Sequence, residues 1–145
     1  MSKSNSLENA ILEHIFKNTA IANIGDVTGL PASGTAGSLY FSLHTADPGE
    51  AGDQTTNEIT YTSYARVAVA RSGAGFVVTG SSVSTASPVT FPAGTGGSGT
   101  ATHFGIGTAS SGTGTLLYSG ALTRNIVCGD GITPQLSTSL TITED

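Results

Sequence analysis

The sequence predicts an all-β fold, namely a single jelly-roll or β-sandwich domain with a short N-terminal helix. Of the 145 residues, 40 are Ser or Thr and 20 are Gly. Thr favours strands, whereas Gly and Ser favour turns, so this composition is typical of many short strands joined by tight connections. Eight segments have the length and apolar pattern of strands, and no helical pattern separates them. That arrangement favours a sandwich or a jelly roll over an α/β fold.

We expect residues 1–36 to form the helix and an N-terminal arm, and residues 37–145 to form the β-sandwich (jelly-roll) domain. In the arm, Ser6 can cap a helix that runs from Leu7 to Asn18. The apolar stripe of this helix comprises Leu7, Ile11 and Ile15, widened by Leu12 and Phe16. Such a face either closes one end of the sheet core or docks on a partner, and the pattern alone allows both.

The first predicted strand covers residues 39–44, where apolar and polar side chains alternate. Asp47, Pro48 and Gly49 follow it with the composition of a type II turn, and an exposed loop continues to Asn57. The other seven predicted strands are residues 64–71, 76–79, 89–91, 102–106, 116–118, 125–128 and 139–143. No repeat of fixed period is visible, which argues against a propeller or a solenoid.

Charged side chains are scarce and unevenly distributed. They make up 10% of the chain, against about 25% in an average protein. Residues 72–123 contain no Asp, Glu, Lys or Arg. Either Ser and Thr hydroxyls solvate this half adequately, or neighbouring subunits cover it in an assembly; we favour the second explanation, because charges normally protect exposed strands from unwanted pairing.

The charge balance and the single cysteine exclude several classes of protein. A formal net charge of -5 with five scattered basic residues offers no basic patch for nucleic acid or an anionic membrane. Cys128 cannot form an internal disulfide, which suits synthesis in a reducing cytoplasm. The N-terminal segment does not resemble a signal peptide, and no apolar run has membrane-spanning length.

Two loop motifs imitate binding sites. Residues 94–99 match the dinucleotide pattern G-x-G-x-x-G, but the motif requires a helix directly after the glycines and a strand is predicted there. Asp47, Glu50, Asp53 and Glu58 could supply oxygen ligands to calcium, although their spacing is not that of an EF-hand. We interpret the first match as accidental and the four acids as solvated.

Catalytic and metal-binding constellations are also missing from the sequence. His14, His44 and His103 form no zinc-type pair, and Cys128 has no second cysteine beside it. The chain lacks a G-x-S-x-G nucleophile motif. We therefore predict a protein with no catalytic residues, no cofactor and no metal.

Glu58 and Arg66 support a structural hypothesis. They flank Tyr61 and Tyr64 where a loop enters a predicted strand. An Arg–carboxylate pair with two hydrogen bonds could fasten that loop to the sheet.

Several motifs resemble a family of small tailed-phage and prophage virion proteins. They are residues 39–52 (LYFSLHTADPGEAG), Glu58, Tyr61 and residues 64–69 (YARVAV), together with residues 7–9 and 103–108. Members of this family are named variously as tail fibre proteins and as capsid cement or decoration proteins. Resemblance to the cement proteins implies a jelly roll on the capsid exterior that binds the major capsid protein and ties its subunits together, without catalysis.

The resemblance and the uncharged tract together suggest where subunits meet. We expect intersubunit contacts at Leu7, Ile11, Ile15, Phe76 and Phe91, with the major capsid protein or with other copies of the chain in a dimer or trimer. The alternative is a tail or tail-fibre component. Fibres tend to be elongated and repetitive, so the lack of repeats and heptads favours cement. A carbohydrate-binding jelly roll is less favoured, since the chain has no Trp and four Tyr.

Overall fold

The computed structural model describes residues 2–144. Over this range the chain forms one helix and nine strands, which are α1 (Asn5–Lys17), β1 (Ser38–His44), β2 (Val67–Ala70), β3 (Phe76–Thr79), β4 (Ser82–Thr85), β5 (Val89–Thr90), β6 (Ser98–Gly107), β7 (Leu116–Gly129), β8 (Gln135–Leu136) and β9 (Thr141–Thr143). The structure is thus mostly β-sheet with one short N-terminal helix, which confirms the predicted all-β class. The jelly-roll topology stays a prediction.

The strands form three sheets. The largest has the order β2-β1-β6-β7, the second has the order β3-β4-β9, and the third pairs β5 with β8. Pairing of β1 with β6 is antiparallel and aligns Phe41 with Ile106. Pairing of β6 with β7 is also antiparallel, but its register shifts between Ala101 and His103, where β7 carries extra residues opposite Thr102. This bulge bends β7 away from a regular ladder over residues 122–125.

Contacts divide the chain into two compact units. The first contains residues 2–38, 69–88 and 137–144, and the second contains residues 39–68 and 89–136. The first unit therefore holds α1 with the β3-β4-β9 sheet. The second unit holds β6, β7, most of β1 and the β5-β8 pair.

Helix α1 begins and ends with local caps. Ser4, rather than the predicted Ser6, is the N-cap, and its hydroxyl accepts a hydrogen bond from the Leu7 amide. The helix stops at Asn18, which adopts the left-handed conformation (φ 57°) common at helix ends. Arg71 donates hydrogen bonds to the carbonyls of His14 and Ile15. Carbonyls in the last turn of a helix have no amide donor within the helix, so Arg71 takes that place.

The core of the first unit forms where α1 meets its sheet. Leu12 and Phe16 are fully buried, and the Phe16 ring packs edge-to-face on Phe76 with centroids 5.0 Å apart. Leu7 is 37% exposed, and Ile11 and Ile15 are half-buried. The most buried stripe is thus rotated by about one residue from the predicted stripe, toward Leu12 and Phe16.

The core of the second unit lies between apolar residues of β1, β6 and the loops. Its buried side chains are Leu39, Phe41, Leu43, Ile59, Tyr61, Val89, Phe91, Ala101, Phe104, Ile106, Cys128 and Leu136. Strand β6 contains Gly105 because a Cβ there would lie 2.6 Å from His44 Nε2. Glycine at this position thus allows the buried His44 to pack on the sheet.

Some predicted strands differ from the observed ones. Strands β4 and β8 have no predicted counterpart, since each is short and carries one apolar residue. Strand β7 covers both predicted segments 116–118 and 125–128 in one run. Strand β6 begins at Ser98, inside the Gly-rich motif, and continues to Gly107, so a strand and not a helix follows residues 94–99.

Candidate functional site

An Arg–carboxylate pair organises the loops of the second unit. Arg66 Nε donates a hydrogen bond to Glu58 Oε1, and Arg66 NH2 donates one to Glu58 Oε2, both at 2.7 Å. The side chains are 3% and 13% exposed, respectively. The Glu58 carboxylate raises the pKa of Arg66, so the guanidinium stays charged. The pair proposed from the sequence is therefore a nearly buried fork in the structure.

The same guanidinium also holds the connection between β6 and β7. Arg66 NH1 donates to the carbonyl of Ala109 at 3.0 Å, and NH2 donates to that of Gly112 at 2.8 Å. Tyr64 donates its hydroxyl proton to Glu58 at 2.9 Å, and burial raises the pKa of Tyr64. One ion pair thus joins the loop at Glu58, the start of β2 and the β6–β7 connection.

A second buried polar group lies on β1. His44 Nδ1 donates to the carbonyl of Thr56 at 2.8 Å, which leaves Nε2 to accept from the Ser42 hydroxyl at 2.8 Å. Both side chains are fully buried, and burial lowers the pKa of His44. Because solvent does not reach the Ser42 hydroxyl, this Ser–His contact links β1 to the loop at Thr56 rather than presenting a nucleophile.

Gln54 is a further buried polar residue in this region, and the sequence did not single it out. Its backbone amide donates to Thr113, and its side-chain oxygen accepts from the Ala109 amide at 2.9 Å. Gly107 and Gly114 leave room for its amide group, where a Cβ would clash. The sequence could not predict that two glycines make room for Gln54, because these contacts join residues more than 50 positions apart in the chain.

The acidic loop is a chain of local turns. Asp47 accepts from the Gly49 amide, and Asp53 accepts from the amide and hydroxyl of Thr55. The Thr55 hydroxyl lowers the pKa of Asp53 most strongly. Within residues 2–144, no three His, Cys, Asp or Glu side chains come together in a group that could hold a metal ion.

The five residues expected at intersubunit contacts occupy different environments. Phe76 and Phe91 are each 1% exposed, so they belong to the cores of the first and second units, respectively. Leu7, Ile11 and Ile15 lie on α1 with partly accessible side chains. A contact surface on this helix would therefore use these three, whereas the two phenylalanines are core residues.

Exposed apolar residues mark other parts of the surface. They are Ile24, Val27 and Leu30 in the loop after α1, Val77 on β3, Leu117 and Val127 on β7, and Ile132. Val77 and Leu117 lie in the tract without charges, residues 72–123. Sequence periodicity alone did not identify them, because each lies beside apolar residues that are less exposed.

A groove of about 550 Å³ lies on the second unit, beside β7. Asp47, Glu50 and His103 line it together with residues 116–121. It combines two carboxylates with the uncharged start of β7. The sequence did not reveal this groove, since its walls come from segments some 65 residues apart.

Comparisons with known proteins identify the family. No helix in the described part of the chain has the length and apolar character needed to cross a membrane. A search of curated proteins found no match. The family model described as Podophage GP4 fiber I protein gp80 matches residues 2–143, which is nearly the whole chain. The chain therefore belongs to the Podophage GP4 fiber I protein gp80 family, a family of phage virion structural proteins.

Proposed function

We propose that the chain is a structural subunit of the phage fibre and that it works by binding other protein subunits, without catalysis. The observation that carries this proposal is the family match over residues 2–143, whose description names a fibre protein. The proposal replaces our expectation of capsid cement as the first interpretation and adopts the alternative of a tail or tail-fibre component.

The surface chemistry supports an assembled state. Residues 72–123 contain no ionic side chain, yet Val77 and Leu117 within this tract are 48% and 39% exposed. Covering a neutral, partly apolar strand surface with a neighbour costs little desolvation free energy, because no charge has to leave water. In a fibre, many copies of a modest contact give a stable assembly.

The buried and half-buried charged side chains also support a structural role. The Glu58–Arg66 fork and the Arg71 contacts to helix carbonyls lie inside their units. They use cations to fix loops and helix ends rather than to create a reactive site. Such a subunit is suited to hold its shape while its surface is used for contacts.

Capsid cement is the second candidate. It is favoured by the resemblance of residues 39–52 and 64–69 to cement proteins, and by the absence of heptads or repeats from the sequence. In that role the partner would be the major capsid protein on the capsid exterior, and the neutral strand surface would cover seams between its subunits.

Labelling of intact virions distinguishes the two candidates. Antibody fragments raised against the purified chain would be bound to particles and located by electron microscopy. Label along the fibres supports the proposed function. Label spread over the capsid faces would overturn it in favour of cement, and particles without label would overturn both.

A further inference from the structure

The side chain of Gln54 carries a buried donor that no described residue satisfies. Gln54 is fully buried in the second unit. Among residues 2–144, its Nε2 is the one buried side-chain nitrogen or oxygen without a hydrogen-bond partner. Folded proteins nearly always satisfy such a group, because an unpaired buried donor has lost its hydrogen bonds to water and gained nothing in return. Nε2 therefore requires an acceptor.

A flip of the amide group does not supply that acceptor. Gln54 Oε1 accepts a hydrogen bond from the Ala109 amide at 2.9 Å. If Oε1 and Nε2 exchanged places, two donors would face each other and the Ala109 amide would lose its acceptor. The contact with Ala109 thus fixes which branch of the amide is the oxygen, and it leaves Nε2 on the other branch.

Glycines surround the Gln54 amide group. A Cβ at Gly107 would lie 2.6 Å from Nε2, so the amide packs directly over the backbone of β6. A Cβ at Gly114 would clash with Oε1 on the side of the β6–β7 connection. Neither glycine has a side chain that could accept from Nε2, so an acceptor has to come from the backbone or from a bound molecule.

Backbone carbonyls of the β6–β7 connection can hold a bridging molecule. Those of Ala109 and Gly112 accept from Arg66, and that of Thr113 accepts from the Gln54 backbone amide. A carbonyl oxygen has two lone pairs, so each of the three can accept one more hydrogen bond. A molecule bound here must accept from Nε2 and donate to a carbonyl.

These requirements exclude an ion. A cation cannot accept from Nε2, and an anion would have no free cation to pair with, because Arg66 is already paired with Glu58. Water is small and neutral, and it both accepts and donates. Buried waters occur about once per 27 residues in globular proteins, at sites with two to four polar partners.

We propose that Gln54 binds one buried water molecule, which accepts from Nε2 and donates to a carbonyl of the β6–β7 connection. The water then joins the loop that contains Gln54 to this connection, as Arg66 joins it to the loop at Glu58. The inference goes beyond the proposed function, since the site belongs to the fold of the subunit and holds for a fibre and a capsid protein alike.

A crystal structure of the purified chain at a resolution that shows ordered water tests the site. We expect a water oxygen about 2.9 Å from Gln54 Nε2 and within hydrogen-bond distance of at least one carbonyl of residues 109–113. Gln54→Met removes the donor and should lose this water. A direct bond from Nε2 to a protein atom, no water beside Nε2, or the same water in the Met variant would overturn the proposal.

NMR in solution gives a test that needs no variant. The Gln54 side-chain amide protons should show nuclear Overhauser effects with a water molecule that tumbles with the protein. Gln135 is the matched control, because it is the other glutamine of the chain and its exposed amide donates to the Thr90 hydroxyl at 2.8 Å. It should show only the signature of rapidly exchanging surface water. Identical water signals at the two glutamines would contradict a bound water at Gln54.

Discussion

Arg66 and Glu58 are joined by two hydrogen bonds of 2.7 Å, and the same guanidinium binds the carbonyls of Ala109 and Gly112. This contact links segments that are 43 and 46 residues apart in the chain. One side chain of the second unit therefore joins the loop at Glu58 to the β6–β7 connection. Its contribution to stability can be measured.

Removal of the Glu58 carboxylate should strongly destabilise the fold. Glu58→Gln leaves the 3%-exposed guanidinium of Arg66 without a counter-charge, and breaking such a pair costs about 3 kcal/mol. Urea unfolding at neutral pH measures the loss. Glu13→Gln is the matched control, because its pair with Lys17 is far more exposed and should cost less than about 0.5 kcal/mol. Equal losses in the two variants would refute the account of the fork.

Acidification should destabilise the chain through His44. Burial lowers the pKa of His44 in the folded state below its unfolded value of about 6.5, so the unfolded chain binds more protons as the pH falls past that value. Stability is then lost toward acid, by at most about 1.4 kcal/mol per pH unit from this group. Urea midpoints between pH 7.5 and 5 measure the slope, and His44→Gln should flatten it. An unchanged slope in that variant would exclude His44 as the cause.

Arg71 should be required for the end of α1. Its guanidinium donates to the carbonyls of His14, Ile15 and Ala36 at 2.6–3.0 Å. Arg71→Met keeps the length of the side chain but removes all three donors, and we expect a loss of about 2 kcal/mol or more. Arg71→Lys, which keeps the charge but not the planar geometry, should fall between Met and wild type. Thermal unfolding of the three proteins gives the order, and a Met variant as stable as wild type would contradict it.

Gly105 should not tolerate a side chain. A Cβ at this position would lie 2.6 Å from His44 Nε2 and 2.7 Å from Ser42 Oγ, and both of these side chains are fully buried. Gly105→Ala should therefore cost about 1–3 kcal/mol through overpacking. Gly34→Ala is the matched control: it has open space around the new methyl group and should be neutral or slightly stabilising. A neutral Gly105→Ala variant would show that the His44 site is loosely packed.

Hydrophobic periodicity predicted the elements in which apolar residues recur at a regular spacing. Strand β1 alternates apolar and polar residues in the sequence, although its polar residues Ser42 and His44 are buried as well. The helix carries an apolar stripe that includes the fully buried Phe16. Strand β4 could not be found in this way, because Val83 alone among its four residues is apolar. Strand β7 was divided in two, since Gly120 and the bulge near Arg124 interrupt its pattern.

Local spacing predicted part of the candidate site. Glu58 and Arg66 lie eight residues apart beside two tyrosines, so their pairing could be proposed from the sequence. The bonds of Arg66 to the β6–β7 connection could not, because they depend on how distant strands are arranged. For the same reason the groove between Glu50 and β7 emerges only in the folded chain.

The central claim is that the chain is a built-in structural subunit of the virion. Quantitative mass spectrometry of purified particles, compared with particles from a phage that lacks the gene, tests it most directly. We expect many copies of the chain in each wild-type particle, and particles without their fibres when the gene is deleted. Mature particles that lack the protein, and an unchanged fibre in the deletion phage, would contradict the claim.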